Sequence, residues 1–125
     1  MSSAYVEVAN RSRGTVLGTS VRRARTFATR FRGLMLQSSL DCGEGLIIAP
    51  CTGIHMFFMR FAIDAVFYDH HECVLAVYED LRPWRISSVH LRACGVIELP
   101  VGVVRSSGTK VGDQLEFLPR DDHGG

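Results

Sequence analysis

No stretch of this sequence approaches the ~18 uninterrupted apolar residues that a membrane-spanning helix needs, so no membrane span is expected. The opening residues MSSAYVEVANR lack the continuous apolar core of a secretion signal, and the expected compartment is the cytoplasm. Cysteine occurs four times, at 42, 51, 73 and 94, and never as CxxC. In a chain without an export signal these read as reduced thiols that pack as small hydrophobes. There is no P-loop, no GxGxxG, no GxSxG and no HExxH, which removes the motif-defined enzyme classes. Zinc-module ligand spacing is missing too, so no metal and no cofactor is expected.

Lysine is almost absent, at one residue against thirteen arginines, and nothing in the sequence explains that bias. Net charge is +1. It is divided unevenly: residues 1–35 carry seven arginines and only Glu7, whereas the rest of the chain is acidic. A basic arm for nucleic acid is one reading. The arginines alternate with apolar residues and do not form a block, so a solvated strand face is preferred and nucleic acid is not expected as a partner.

What the chain does contain is short apolar runs separated by twelve glycines and four prolines, which favours strands over a helix bundle. Its 125 residues suit one domain over 1–120 with a frayed tail at 121–125. Strands are expected at Tyr5–Val8, from Thr15 toward Ala24, at Gly45–Ile48, Cys73–Tyr78, Val89–Leu91, Gly95–Leu99 and Gln114–Leu118. Thr26 stands where an N-cap belongs, and Phe27, Phe31, Leu34 and Met35 share one helical face, so a helix of two to three turns is expected there. Pro100 and Gly108 bracket a second short helix near Val101–Ser106.

The longest apolar segment, Cys51 to Asp69, nevertheless contains His55, Arg60 and Asp64. With apolar residues on both alternating faces, Ile54 to Val66 reads as a central strand covered on both sides, bent near Phe61–Ala62. Arg60 and Asp64 then share a face about 13 Å apart, at ~3.3 Å per residue. A buried charge needs a partner, so each should have its own.

Four blocks carry a resemblance. These are R-x-x-G-L-M (Arg30, Gly33, Leu34, Met35), GIHMFFMRFAID (Gly53 to Asp64), V-I-E-L-P-x-G (Val96 to Gly102) and G-x-x-x-G-D (Gly108 to Asp113). In that order, over about four fifths of a single compact domain, they resemble the DUF192 family. Ala62 stands where the family usually has proline, and Arg60 where many members have lysine. The resemblance implies a small β-rich domain with one helix on the first block, and no biochemical activity. The fold expected is all-β with a minor α part: a small β-sandwich or partly closed barrel, jelly-roll-like, with one or two short helices.

Three chemistries can be weighed. A Cu(I) site from Cys51, His55, Met56 and Met59 fails because Met56 faces away from His55 and Met59 on a straight strand. A Cys–His nucleophile from Cys51 or Cys94 with His55 or His90 has no supporting motif. The third set is Arg30, His55, Arg60, Asp64, Trp84 and Glu98, where opposite charges beside aromatics could line a cleft for a small molecule or a protein partner. A buried structural network is the competing reading, in which Arg60 holds backbone carbonyls and an acidic side chain while Asp64 accepts hydrogen bonds from turn amides or from Arg30. The function expected is a non-enzymatic binding domain with a charged cleft around Arg60 and Asp64. The alternative is a small enzyme in which Asp64 acts as general base and Arg60 orients an anion.

Overall fold

A computed structural model describes residues 5–24, 39–57 and 59–119. Seven strands form one sheet: β1 (Tyr5–Asn10), β2 (Thr15–Ala24), β3 (Glu44–Ile48), β4 (Ile63–Tyr68), β5 (Val74–Leu81), β6 (Gly95–Leu99) and β7 (Leu115–Pro119). Their spatial order is β5-β4-β6-β3-β2-β1-β7. All neighbours are antiparallel except β2 and β3. Among the described residues one helix, α1 (Val103–Ser107), lies between β6 and β7 and ends at Gly108 in the left-handed conformation.

The sheet curls into a half-barrel, which realises the partly closed barrel expected from the sequence. The curl brings the outermost strands together at one end, where Cys73 and Gln114 form a bridge. There the Val74 N–H donates to Asp113 O at 2.9 Å and the Leu115 N–H to Glu72 O at 2.9 Å. Inside the curl pack Val8, Val21, Ile47, Val66, Tyr68, Ile97, Leu99 and Leu115, plugged by Val104 of α1. Close packing at this wall requires glycine. A Cβ on Gly95 would lie 2.4 Å from Tyr68 Oη and 2.9 Å from Ile48 O. Burial raises the Tyr68 phenol to a pKa of about 12.

The outer face carries a second core of Leu46, Ala65, Phe67 and Val96, covered by Ile54, Met56, Met59 and Ala93. These cover residues correct two expectations. The strand expected over Ile54–Val66 begins only at Ile63, and before it His55 makes an isolated bridge to Ile86. Residues 54–57 and 59–62 lie over the sheet and outside it, and their inward residues look like strand residues because they too are buried. Val89–Leu91 is not a strand: both apolar side chains are exposed and the segment belongs to the cover. The helix expected from Thr26 lies outside the described residues.

Candidate functional site

Asp64, like Glu98 among the expected site residues, has no exposed surface. It sits on β4 and faces the interior beside Leu99 of β6. Opposite it β5 bulges: Ile63 pairs with Leu81 but Ala65 with Tyr78, and Asp80 adopts a positive φ of 55°. The bulge aims the Asp80 N–H at Asp64 Oδ1, at 2.9 Å. Oδ2 accepts from Gly102 N–H and Val104 N–H, both at 3.0 Å. Those amides open α1, whose own N-cap Gly102 has no side chain to offer. Thus a strand carboxylate caps a helix thirty-eight residues downstream. A general base must reach the proton it removes, and this carboxylate is enclosed and engaged by three amides.

Arg60 is exposed and precedes β4, so it does not share a strand face with Asp64. Glu98 is fully buried on β6, flanked in register by Leu46 and Ala65, and therefore on the outer face of the sheet. Asp64 and Glu98 look to opposite sides of one sheet. Arg30 lies outside the described residues.

His55 and Trp84 do come together, on a ribbon that the sequence did not announce. The Met56 N–H donates to Arg85 O at 2.7 Å, Trp84 N–H to Met56 O at 2.8 Å, and Ser87 N–H to Ile54 O at 2.9 Å. These bonds run residues 52–57 antiparallel to 84–90. Alternation then turns Ile54, Met56 and Ser87 inward and His55, Phe57, Trp84 and Ile86 outward. The aromatic rings form a row, His55 to Phe57 at 4.8 Å and Phe57 to Trp84 at 5.8 Å between centroids. His55 Nδ1 accepts the Phe57 N–H at 3.3 Å, which fixes the first ring. Behind the ribbon, Tyr78 Oη accepts from Ser88 N–H at 3.1 Å and meets His90 Nε2 at 2.7 Å, fastening the cover to β5.

Large apolar side chains on this cover are strongly exposed: Phe57 41%, Trp84 59%, Ile86 64%, Val89 67% and Leu91 85%. Trp84 also holds a positive φ of 69°, a region that disfavours a residue with a Cβ. The set expected from the sequence contained Trp84 but neither Phe57 nor Ile86. An apolar residue in a short run reads as core, and only the ribbon pairing turns these two outward. The two cover segments, 49–62 and 82–94, contain Arg60, Arg82, Arg85 and Arg92 and no aspartate or glutamate. All four arginines are exposed.

Among the described residues, no three His, Cys, Asp or Glu side chains converge as metal ligands would. Hollows of about 190 Å³, lined by Arg23, Ala24, Ile47 and Ala49, and about 100 Å³, beside Tyr5, Arg22 and Glu44, are small. Sites for drug-sized ligands start near ~300 Å³. Among the described residues, no helix is long and apolar enough to cross a membrane.

Residues 8–117 match the model of DUF192, described as an uncharacterized ACR. A UPF0127 protein of Thermococcus sibiricus is 36% identical over 112 residues, covering 86% of this chain and 72% of its own. Another from Pyrococcus abyssi is 36% identical over 117 residues, covering 89% and 97%. Two crystal structures share the fold. A protein of unknown function from Novosphingobium aromaticivorans superposes with a TM-score of 0.74 at 25% identity, covering 90% of this chain and 83% of that one. A putative transcription regulator from Sinorhizobium meliloti gives 0.73 at 22%, covering 94% and 98%.

Proposed function

The chain belongs to the DUF192 family, whose function is uncharacterised, and we propose that this member is a non-catalytic binding domain whose docking face is the outer surface of the 52–57/84–90 ribbon. His55, Arg60 and Trp84 are its contact residues among those expected from the sequence, joined by Phe57 and Ile86. Asp64 and Glu98 serve the interior. The observation that carries this reading is Trp84: a large aromatic, 59% exposed, held at a φ that only glycine adopts freely. Strain of that kind concentrates where a side chain must be presented. An exposed aromatic row flanked by arginines also has the composition of a protein-binding hot spot.

The test is site-specific photo-crosslinking in the source cell with a benzophenone amino acid at position 86. A discrete protein adduct that disappears when Trp84→Ser is added supports the reading. The same adducts from the label at Val111, equally exposed on a turn outside the cover, would overturn it.

A further inference from the structure

The partner that this face fits can be named by its chemistry. Resting on the reading of the ribbon as the docking face, we propose that its occupant is an acidic, amphipathic segment of another protein, in which carboxylates alternate with large apolar side chains. Two features of the cover point there together. Its charge is of one sign: Arg60, Arg82, Arg85 and Arg92 are exposed, and neither cover segment holds a carboxylate. Arg82 reaches Asp80 of β5 at 3.1 Å in an exposed pair, which leaves its guanidinium open to exchange for a partner's carboxylate. Guanidinium groups present a planar fork that matches a carboxylate with two hydrogen bonds.

The second feature separates a protein from a nucleic acid. Single strands bind by stacking bases on aromatic faces beside basic side chains, and Phe57 and Trp84 alone would serve for that. The most exposed apolar residues of the cover are aliphatic instead: Ile86 at 64%, Val89 at 67% and Leu91 at 85%. They offer no ring to stack on. Burying them requires apolar side chains from the other molecule, and the exposed arginines of the same two segments require negative charge from it. An acidic amphipathic peptide supplies both.

Trp84 is the chain's one tryptophan, so its fluorescence reports on this face directly. The probe is a synthetic peptide alternating glutamate with leucine and phenylalanine. It is titrated beside a version with lysine for glutamate, a version with serine for leucine and phenylalanine, and an oligothymidylate. The acidic amphipathic peptide should shift Trp84 emission to the blue. Its affinity should fall about tenfold in Arg85→Glu and in Arg92→Glu, and several-fold as salt rises from about 50 to 300 mM. Ile86→Ser should weaken it by about tenfold as well. Both arginines and Ile86 are exposed, and an unchanged circular dichroism spectrum guards each variant. Equal binding of the serine peptide, of the lysine peptide or of oligothymidylate overturns the proposal, and so does an unmoved Trp84 with the acidic peptide. The crosslink at position 86 judges the docking face independently, so failure of the partner class and failure of the face are told apart.

Discussion

Trp84 and Arg60 show how differently two conspicuous residues of one region are used. At Trp84 the backbone conformation and the side chain make opposite demands, because a Cβ at φ of 69° is strained and the indole faces solvent. Replacing it with glycine or alanine removes the indole in both cases, so comparing the two isolates the backbone. Trp84→Gly should be more stable than Trp84→Ala by about 1 kcal/mol in denaturant unfolding. An alanine variant equal to or better than the glycine variant would mean that the position carries no strain. Arg60 was legible in the sequence as a charge inside an apolar segment, but not as an exposed one. The difference arises because 54–57 and 59–62 lie over the sheet and outside it, and nothing in the pattern of Ile54, Met56 and Met59 distinguishes a covering segment from a strand. Arg60→Met should therefore change stability by no more than about 0.5 kcal/mol.

At the scale of elements, α1 is too short to persist alone, since isolated helices under ~12 residues are marginal in water. It depends on β4 for its first turn. In Asp64→Asn one end of the side chain becomes a donor. If the remaining oxygen keeps Gly102 and Val104, the new amide faces the Asp80 N–H and leaves it unsatisfied. A loss of about 3 kcal/mol is expected from that orphaned donor and the weakened charge-assisted bonds. Urea unfolding checks it, and a loss below about 1 kcal/mol would mean that α1 finds other caps. Adding Arg60→Met should leave the loss unchanged, because Arg60 is exposed and shares no partner with Asp64 among the described residues. Here the sequence conveyed half of the arrangement. Pro100 and Gly108 marked the helix, and Asp64 in an apolar run demanded partners. Turn amides were one of the partner sets open to it, but which amides they are has no signature in the sequence, and one of them is aimed by a bulge whose register no periodicity reveals. The strands themselves were readable in several places, as from Thr15 toward Ala24 and at Gly95–Leu99.

For the molecule as a whole, the Asp113 carboxylate ties the turn that leads into the last described strand to the β1–β2 hairpin. Arg13 Nε donates to its Oδ2 at 3.0 Å, and Arg13 Nη2 to Oδ1 at 3.2 Å. Asn10 Nδ2 and the Lys110 N–H add bonds to Oδ2 at 3.0 and 2.9 Å. These donors, the Arg13 guanidinium foremost, hold the carboxyl at a pKa of about 2, below its ordinary 3.8. A group whose folded pKa is depressed contributes stability above its unfolded pKa and loses it as pH falls through the folded one. The wild type should thus lose stability between about pH 4 and pH 2 more steeply than Asp113→Asn, which has no proton to take up. Parallel acid titrations of thermal unfolding test this, and identical slopes would mean that the ionised Asp113 carboxylate does not stabilise the fold. The pairing of β1 with β7, Val6 against Pro119, has a consequence of another kind. On a ribosome the first strand is made long before its outer neighbour exists, so its free edge stays open until the final strand emerges. Closing so long a loop places folding among the slow, milliseconds-to-seconds class of small β proteins. During that interval the nascent chain is most in need of protection from its neighbours.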